Sequence, residues 1–180
     1  RRDGYCIVAF TWLLFTGFGM LPFYISGSIP SVTDAFFETM SGFTTTGATI
    51  LDDIEALSHG MLFWRSFSQW IGGLGIVFFT IAVLPIFGVG NQVLFSAEAT
   101  GVTHDKIHPK ISVMAQCLWT VYLVLTVAEI VLLLIGGMDL FDAACHAFST
   151  TATGGYSTKQ ASVAYWNSPF IEYVIAIFMI

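Results

Sequence analysis

Two short tracts hold the residues whose types and spacing could do chemistry. The first is Ser41-Gly42-Phe43-Thr44-Thr45-Thr46-Gly47-Ala48-Thr49, and the second is Ser149-Thr150-Thr151-Ala152-Thr153-Gly154-Gly155-Tyr156-Ser157-Thr158. Glycine and β-branched threonine make poor helix interiors, so both tracts are expected to be extended. An extended run of carbonyls, helped by threonine hydroxyls, can replace the hydration shell of a cation. Glycine admits φ > 0, which lets successive carbonyls turn toward one axis. Each tract follows an apolar stretch of helical pattern, whose C-terminal partial negative charge would point the same way. All three features favour a cation over an anion. The expected ion-binding residues are Thr45, Thr46, Gly47 and Ala48 in the first tract, and Thr153, Gly154, Gly155 and Tyr156 in the second.

The tracts belong to an internal repeat. Aligning Gly47 with Gly155 sets an offset of 108 residues, which also pairs Asp34 with Asp142, Ala35 with Ala143, Ser41 with Ser149, Thr45 with Thr153 and Thr49 with Ser157. Ahead of the first tract, Val32, Ala35, Phe36, Met40 and Phe43 recur at helical spacing. Ser31 with Asp34 three residues on gives a helix start. A helix of about 12 residues is roughly 18 Å long, half a membrane. Ahead of the second tract, Asp139 and Asp142 flank Leu140 and Phe141, and Ala143, Ala144, Cys145, Ala147 and Phe148 continue the pattern. Parallel repeats are a common construction of membrane transport proteins.

The surrounding elements read as membrane helices. Of the 180 residues, 56% are hydrophobic and 10% charged, against about 25% charged in a soluble domain. Mean hydropathy is +0.78. This excludes a disordered chain. Six basic against twelve acidic residues, a net charge of −6, exclude a nucleic-acid surface. No charge falls between Asp3 and Asp34 or between Arg65 and Glu98, and only Glu129 lies between Lys110 and Asp139. A crossing needs about 20 apolar residues. Spans are therefore expected at 5–27, 61–85 and 112–136, with a fourth beginning at Ser168 and still apolar at Ile180. The resulting organisation is a first pore repeat, 1–88 (span 5–27, pore helix 31–43, filter 44–49, span 61–85), then a polar linker, 89–110, then a second repeat, 111–180, truncated within its last span. Arg1, Arg2, Lys106 and Lys110 fall on one side, against Arg65 and Lys159 on the other. The positive-inside rule makes the linker cytoplasmic.

At these residues the sequence resembles a known family. Thr45-Thr46-Gly47-Ala48 and Thr153-Gly154-Gly155-Tyr156 look like degenerate forms of the Thr-Val-Gly-Tyr-Gly filter of potassium channels. With Trp70-Ile71-Gly72-Gly73-Leu74-Gly75, the pattern is similar to the Trk/Ktr/HKT family of potassium-transporting membrane subunits, most of all its bacterial TrkH branch. The resemblance implies an all-α membrane protein of tandem helix–pore-loop–helix repeats, like a potassium channel fused into one chain, of which this chain holds the first two of four. It implies potassium uptake across a bacterial cytoplasmic (inner) membrane, a multi-pass chain in the lipid bilayer, and potassium as substrate without a cofactor or catalytic residue. It also implies a cytosolic nucleotide-binding ring subunit and a homodimer as partners. In plant relatives a serine at the first filter glycine goes with sodium preference, so Gly47 implies a potassium-selective form. Ala48 in place of an aromatic, and Gly154 in place of a bulkier residue, depart from the pattern.

Other residues invite other readings. His104-Asp105-Lys106-Ile107-His108 resembles a zinc-protease helix, but Pro109 follows at once and no third ligand is near, so no transition-metal site is expected. Cys6, Cys117 and Cys145 read as apolar packers. Glu129, deep in a span, is a functional candidate, or else a carboxyl that is protonated or hydrogen-bonded to a neighbouring helix. Gly72, Gly73 and Gly75 read as a close-packing face. Arg65 is expected to make a surface ion pair with Asp52, Asp53 or Glu55, worth little. The rival functions are a membrane-embedded hydrolase using His146 and Asp142, one helical turn apart, and a passive membrane scaffold.

Overall fold

In a computed structural model, the backbone of residues 2–83 and 111–180 is described, with side chains at 6, 9–75 and 116–180. The linker with His104 and His108 lies outside the described residues. Among the described residues every regular element is helical.

The first expected span is broken. Helix α1 runs Arg2–Gly19 and a short α2 runs Leu21–Ile25. Pro22 sits in the first turn of α2, where its missing N–H and ring cannot continue the ladder of the preceding helix. Helix α3, Val32–Phe43, starts at Ser31, whose side chain accepts from the Asp34 N–H. Helix α4, His59–Val83, and helix α5, Ile111–Ile135, occupy the second and third expected spans. Helix α6, Leu140–Thr151, has Asp139 as its N-cap, accepting from the Phe141 N–H at 3.2 Å. A 3-10 turn at Ser162–Trp166 leads into α7, Pro169–Phe178.

The 108-residue repeat is structural. Helices α3 and α6 are both 12 residues long and start and stop at that offset. Ala35 and Ala143, paired by it, are both fully buried. Helix α4 packs on its own short helix α3 and also on α6 of the second unit, while α5 packs on α6 and α7. Small residues permit this double contact. A Cβ at Gly72 would collide with the Phe43 carbonyl, and one at Gly73 would meet the Tyr122 hydroxyl and Ala152. Gly75 faces open space, so two of the three glycines make the expected packing face.

Helices α1 and α5 bury little of themselves, whereas the described side chains of α4 are largely buried between its neighbours. The stretch Gln116–Ile135 is long and apolar enough to cross a membrane, yet only 17% of its most apolar window is buried. Val121, Val124, Val127 and Val131 are about half exposed, as are Leu14 and Phe15 on α1. Such faces belong against lipid or against further helices. Cys6 and Cys117 lie exposed on these helices, and only Cys145 is buried. The expectation of three packed thiols therefore holds for one, because the outward faces of α1 and α5 have no neighbour among the described residues.

Candidate ion-binding site

Both tracts begin with the same helix end. Thr45 N–H donates to the Gly42 carbonyl at 3.0 Å, and Thr46 N–H to the Ser41 carbonyl at 3.0 Å. In the second unit, Thr153 N–H donates to Thr150 and Gly154 N–H to Ser149, both at 2.8 Å. Each is a Schellman closure, which caps the last turn and reverses the chain. The expected pore helix 31–43 ends at Phe43, as α3 does, so the non-helical part of the first tract begins at Thr44. Ser41–Phe43 and Ser149–Thr151 are the final helical turn, because the closure uses the Ser41 and Ser149 carbonyls as acceptors.

The left-handed position of each closure is a threonine, with φ of 54° at Thr45 and 55° at Thr153. Glycine normally takes that place, and a β-branched residue there is strained. Two residues on, Gly47 and Gly155 take φ of 76° and 83°. The alternation turns the chain at matched points in both units. Among the described residues, no hydrogen bond ends on the carbonyls of Thr45, Thr46, Gly47, Thr153, Gly154 or Gly155. The two tracts also meet, since a Cβ at Gly47 would run into the Gly154 carbonyl oxygen. The expected site residues of the two units are thus side by side, with those six carbonyls free of protein donors and the Ala48 carbonyl accepting from the Tyr156 hydroxyl.

The outer end of each tract is tied back to its short helix across the same 11-residue interval. In the first unit the Thr49 hydroxyl lies 3.0 and 3.1 Å from the two carboxylate oxygens of Glu38, and Ile50 N–H donates to that carboxylate at 2.9 Å. In the second unit His146 holds the place of Glu38. Its Nδ1 is 2.8 Å from the Asp142 carbonyl, and its Nε2 is 3.0 Å from the Ser157 hydroxyl. The carbonyl can only accept, so Nδ1 carries the hydrogen.

Arg65 of α4 joins the two ends. Its Nε donates to Glu38 at 2.6 Å, and its Nη1 donates to the Ser157 carbonyl at 3.0 Å. Its guanidinium carbon sits 3.6 Å over the Tyr156 ring. The Tyr156 hydroxyl in turn reaches the carbonyls of Glu38 at 2.9 Å and Ala48 at 3.2 Å. Arg65 is 2% exposed, so the expected surface pair with Asp52, Asp53 or Glu55 is wrong. One turn along α4, Gln69 Oε1 accepts from the Ser149 hydroxyl at 2.6 Å and the Tyr156 N–H at 3.3 Å. A Cβ at Gly154 would strike the Gln69 amide, which accounts for glycine there.

Sequence reasoning missed Glu38, Arg65 and Gln69 as parts of the site. The available signal was one of charge: Arg65 and Glu38 are ionisable residues placed inside otherwise apolar helical patterns. The rival dyad does not form. The Asp142 carboxylate accepts from the Thr158 hydroxyl at 2.8 Å, and His146 meets the Asp142 backbone rather than its side chain. His146 and Ser157 are both buried, with the imidazole edge against Trp166, so no substrate carbonyl reaches them. Glu129 is fully buried, and neither carboxylate oxygen has a hydrogen-bond partner among the described residues.

Comparison with known proteins agrees with this geometry. The family model "TrkH: Cation transport protein" matches residues 1–180. The chain is 47% identical to the Trk system potassium uptake protein TrkH of Escherichia coli K12, over 99% of this chain and 38% of that protein. It is 40% identical to TrkG of the same organism, over 98% of this chain and 37% of that one. The crystal structure of the potassium transporter TrkH from Vibrio parahaemolyticus superposes with a TM-score of 0.83 at 41% identity, covering 99% of this chain and 35% of that one. The chain thus spans under two-fifths of the length of these relatives. With the matched short helices, the paired Thr/Gly tracts and a family match over its whole length, the chain belongs to the TrkH family of cation transport proteins.

Proposed function

We propose that this chain contributes half of a potassium-selective filter to a protein that takes up potassium across a bacterial inner membrane. The observation that carries the reading is the pair of tracts turned at Thr45 and Gly47, and again at Thr153 and Gly155, with unpaired carbonyls and the tracts in contact. A cation stripped of water needs oxygen ligands held at fixed spacing, and carbonyls without protein donors can supply them. Thr45, Thr46, Gly47 and Ala48 would line the ion path beside Thr153, Gly154, Gly155 and Tyr156, as neighbouring walls of it. The TrkH and TrkG relatives are named potassium uptake proteins, which supports potassium as the ion. Gly47 has no room for a side chain beside the Gly154 carbonyl. In the full-length protein, Gly47→Ser should therefore push the tracts apart and lower the ratio of potassium to sodium uptake. An unchanged ratio in a folded Gly47→Ser protein would reject the filter reading.

A further inference from the structure

The tracts have no sheet ladder to hold their outer ends, so something else must set where they stand. The side chains that reach those ends are few and buried. Glu38 takes the Thr49 hydroxyl and the Ile50 N–H at the end of the first tract. Arg65 takes the Ser157 carbonyl and covers the Tyr156 ring at the end of the second. The 2.6 Å ion pair between them makes one unit of both anchors.

A buried ion pair is a poor source of stability, because two charges must leave water, and apolar replacements often serve as well. Its placement between the two tract ends points to another role. The arrangement is also one-sided. At the 108-residue offset, Arg65 corresponds to Tyr173, which is 69% exposed, and Glu38 corresponds to the imidazole of His146. The charged strut therefore comes from α4 of the first unit and reaches forward into the second.

Resting on the filter reading, we infer that Arg65 is a positioning residue for ion discrimination. It fixes the outer ends of the two tracts relative to one another through Glu38 on one side and Ser157 with Tyr156 on the other. It touches no ion. A guanidinium can do this where an ammonium cannot, because its planar fork serves a carboxylate, a carbonyl and an aromatic face at once. Discrimination by a carbonyl cage depends on the spacing and stiffness of its oxygens. A loose outer end should therefore cost selectivity before it costs flux.

The test uses the full-length protein in liposomes, with potassium and sodium uptake measured side by side. Arg65→Lys keeps the charge beside Glu38 but cannot also hold Ser157 and lie flat on Tyr156. The potassium-to-sodium ratio should fall by about tenfold, the scale of one lost charge-assisted hydrogen bond, while potassium flux changes less. Tyr156→Phe keeps the ring and all charges and removes only the hydroxyl contacts to Glu38 and Ala48. It should shift the ratio the same way by a smaller factor, and it decides the matter if Arg65→Lys does not accumulate. An unchanged ratio in the folded variants, or an equal loss of both fluxes, would overturn the positioning role while leaving the filter intact. A wild-type protein that does not distinguish the two ions would overturn the filter reading and this inference together.

Discussion

Gly154 shows how narrowly single residues are constrained at this site. Its backbone has no positive φ, so alanine is conformationally allowed, and the nearest obstacle is the Gln69 amide. Gln69 cannot step aside freely, since its oxygen serves Ser149 and Tyr156. Gly154→Ala should destabilise the full-length protein by about 1–3 kcal/mol, the usual cost of overpacking. Thermal unfolding in detergent would measure it, and an unchanged midpoint would mean that Gln69 has slack. The spacing of threonine and glycine made these positions legible as a site. The reason for glycine at 154 was not legible, because its neighbour lies 85 residues away in sequence.

At the scale of elements, the short helices α3 and α6 are the parts that aim the tracts. Their starts follow from Ser31 and Asp139, and their ends from the Schellman closures. Both closures put threonine where glycine would be easier. Replacing Thr153 by glycine should relieve that strain and stabilise the protein by up to ~1 kcal/mol. The same change removes a hydroxyl beside the unpaired carbonyls, so transport selectivity should fall as stability rises, a trade seen at strained functional positions. A Thr153→Gly protein that melts lower than wild type would show that the left-handed threonine is not strained. The helix starts could be read from local hydrogen-bonding residues. The end of the first is read at Phe43, but in the second unit no end is legible, since Ser149-Thr150-Thr151 have tract-like composition yet finish a helix.

For the whole molecule, the open matter is sidedness. Arg65 counts against a cytoplasmic linker in a plain tally of basic residues. Buried and paired with Glu38, it is no loop charge and drops out of the tally. Lys159 alone then opposes Arg1, Arg2, Lys106 and Lys110. The linker should be cytoplasmic and the exposed acidic residues Asp52, Asp53 and Glu55 external, where they would concentrate cations at the mouth. In intact cells, with Cys6, Cys117 and Cys145 replaced, an impermeant thiol reagent should label Glu55→Cys and spare Ser96→Cys. The reverse labelling would invert the topology.

Hydrophobic runs, charge gaps and the 108-residue offset by themselves determined the helical membrane architecture, the two short helices and the paired tracts. These are local or periodic signals: apolar length, helix caps and recurring Thr/Gly composition act over a few residues at a time. Tertiary structure decided what holds the tracts. The Glu38–Arg65 pair, the reach of Arg65 to Ser157 and the fit of Gln69 against Gly154 join residues 27, 92 and 85 positions apart. A charge inside an apolar helical pattern flags Arg65, but nothing local says which partner it meets or that it turns inward. That choice is made by the packing of α4 between α3 and α6, which buries Arg65 against the Glu38 carboxylate and the Ser157 carbonyl.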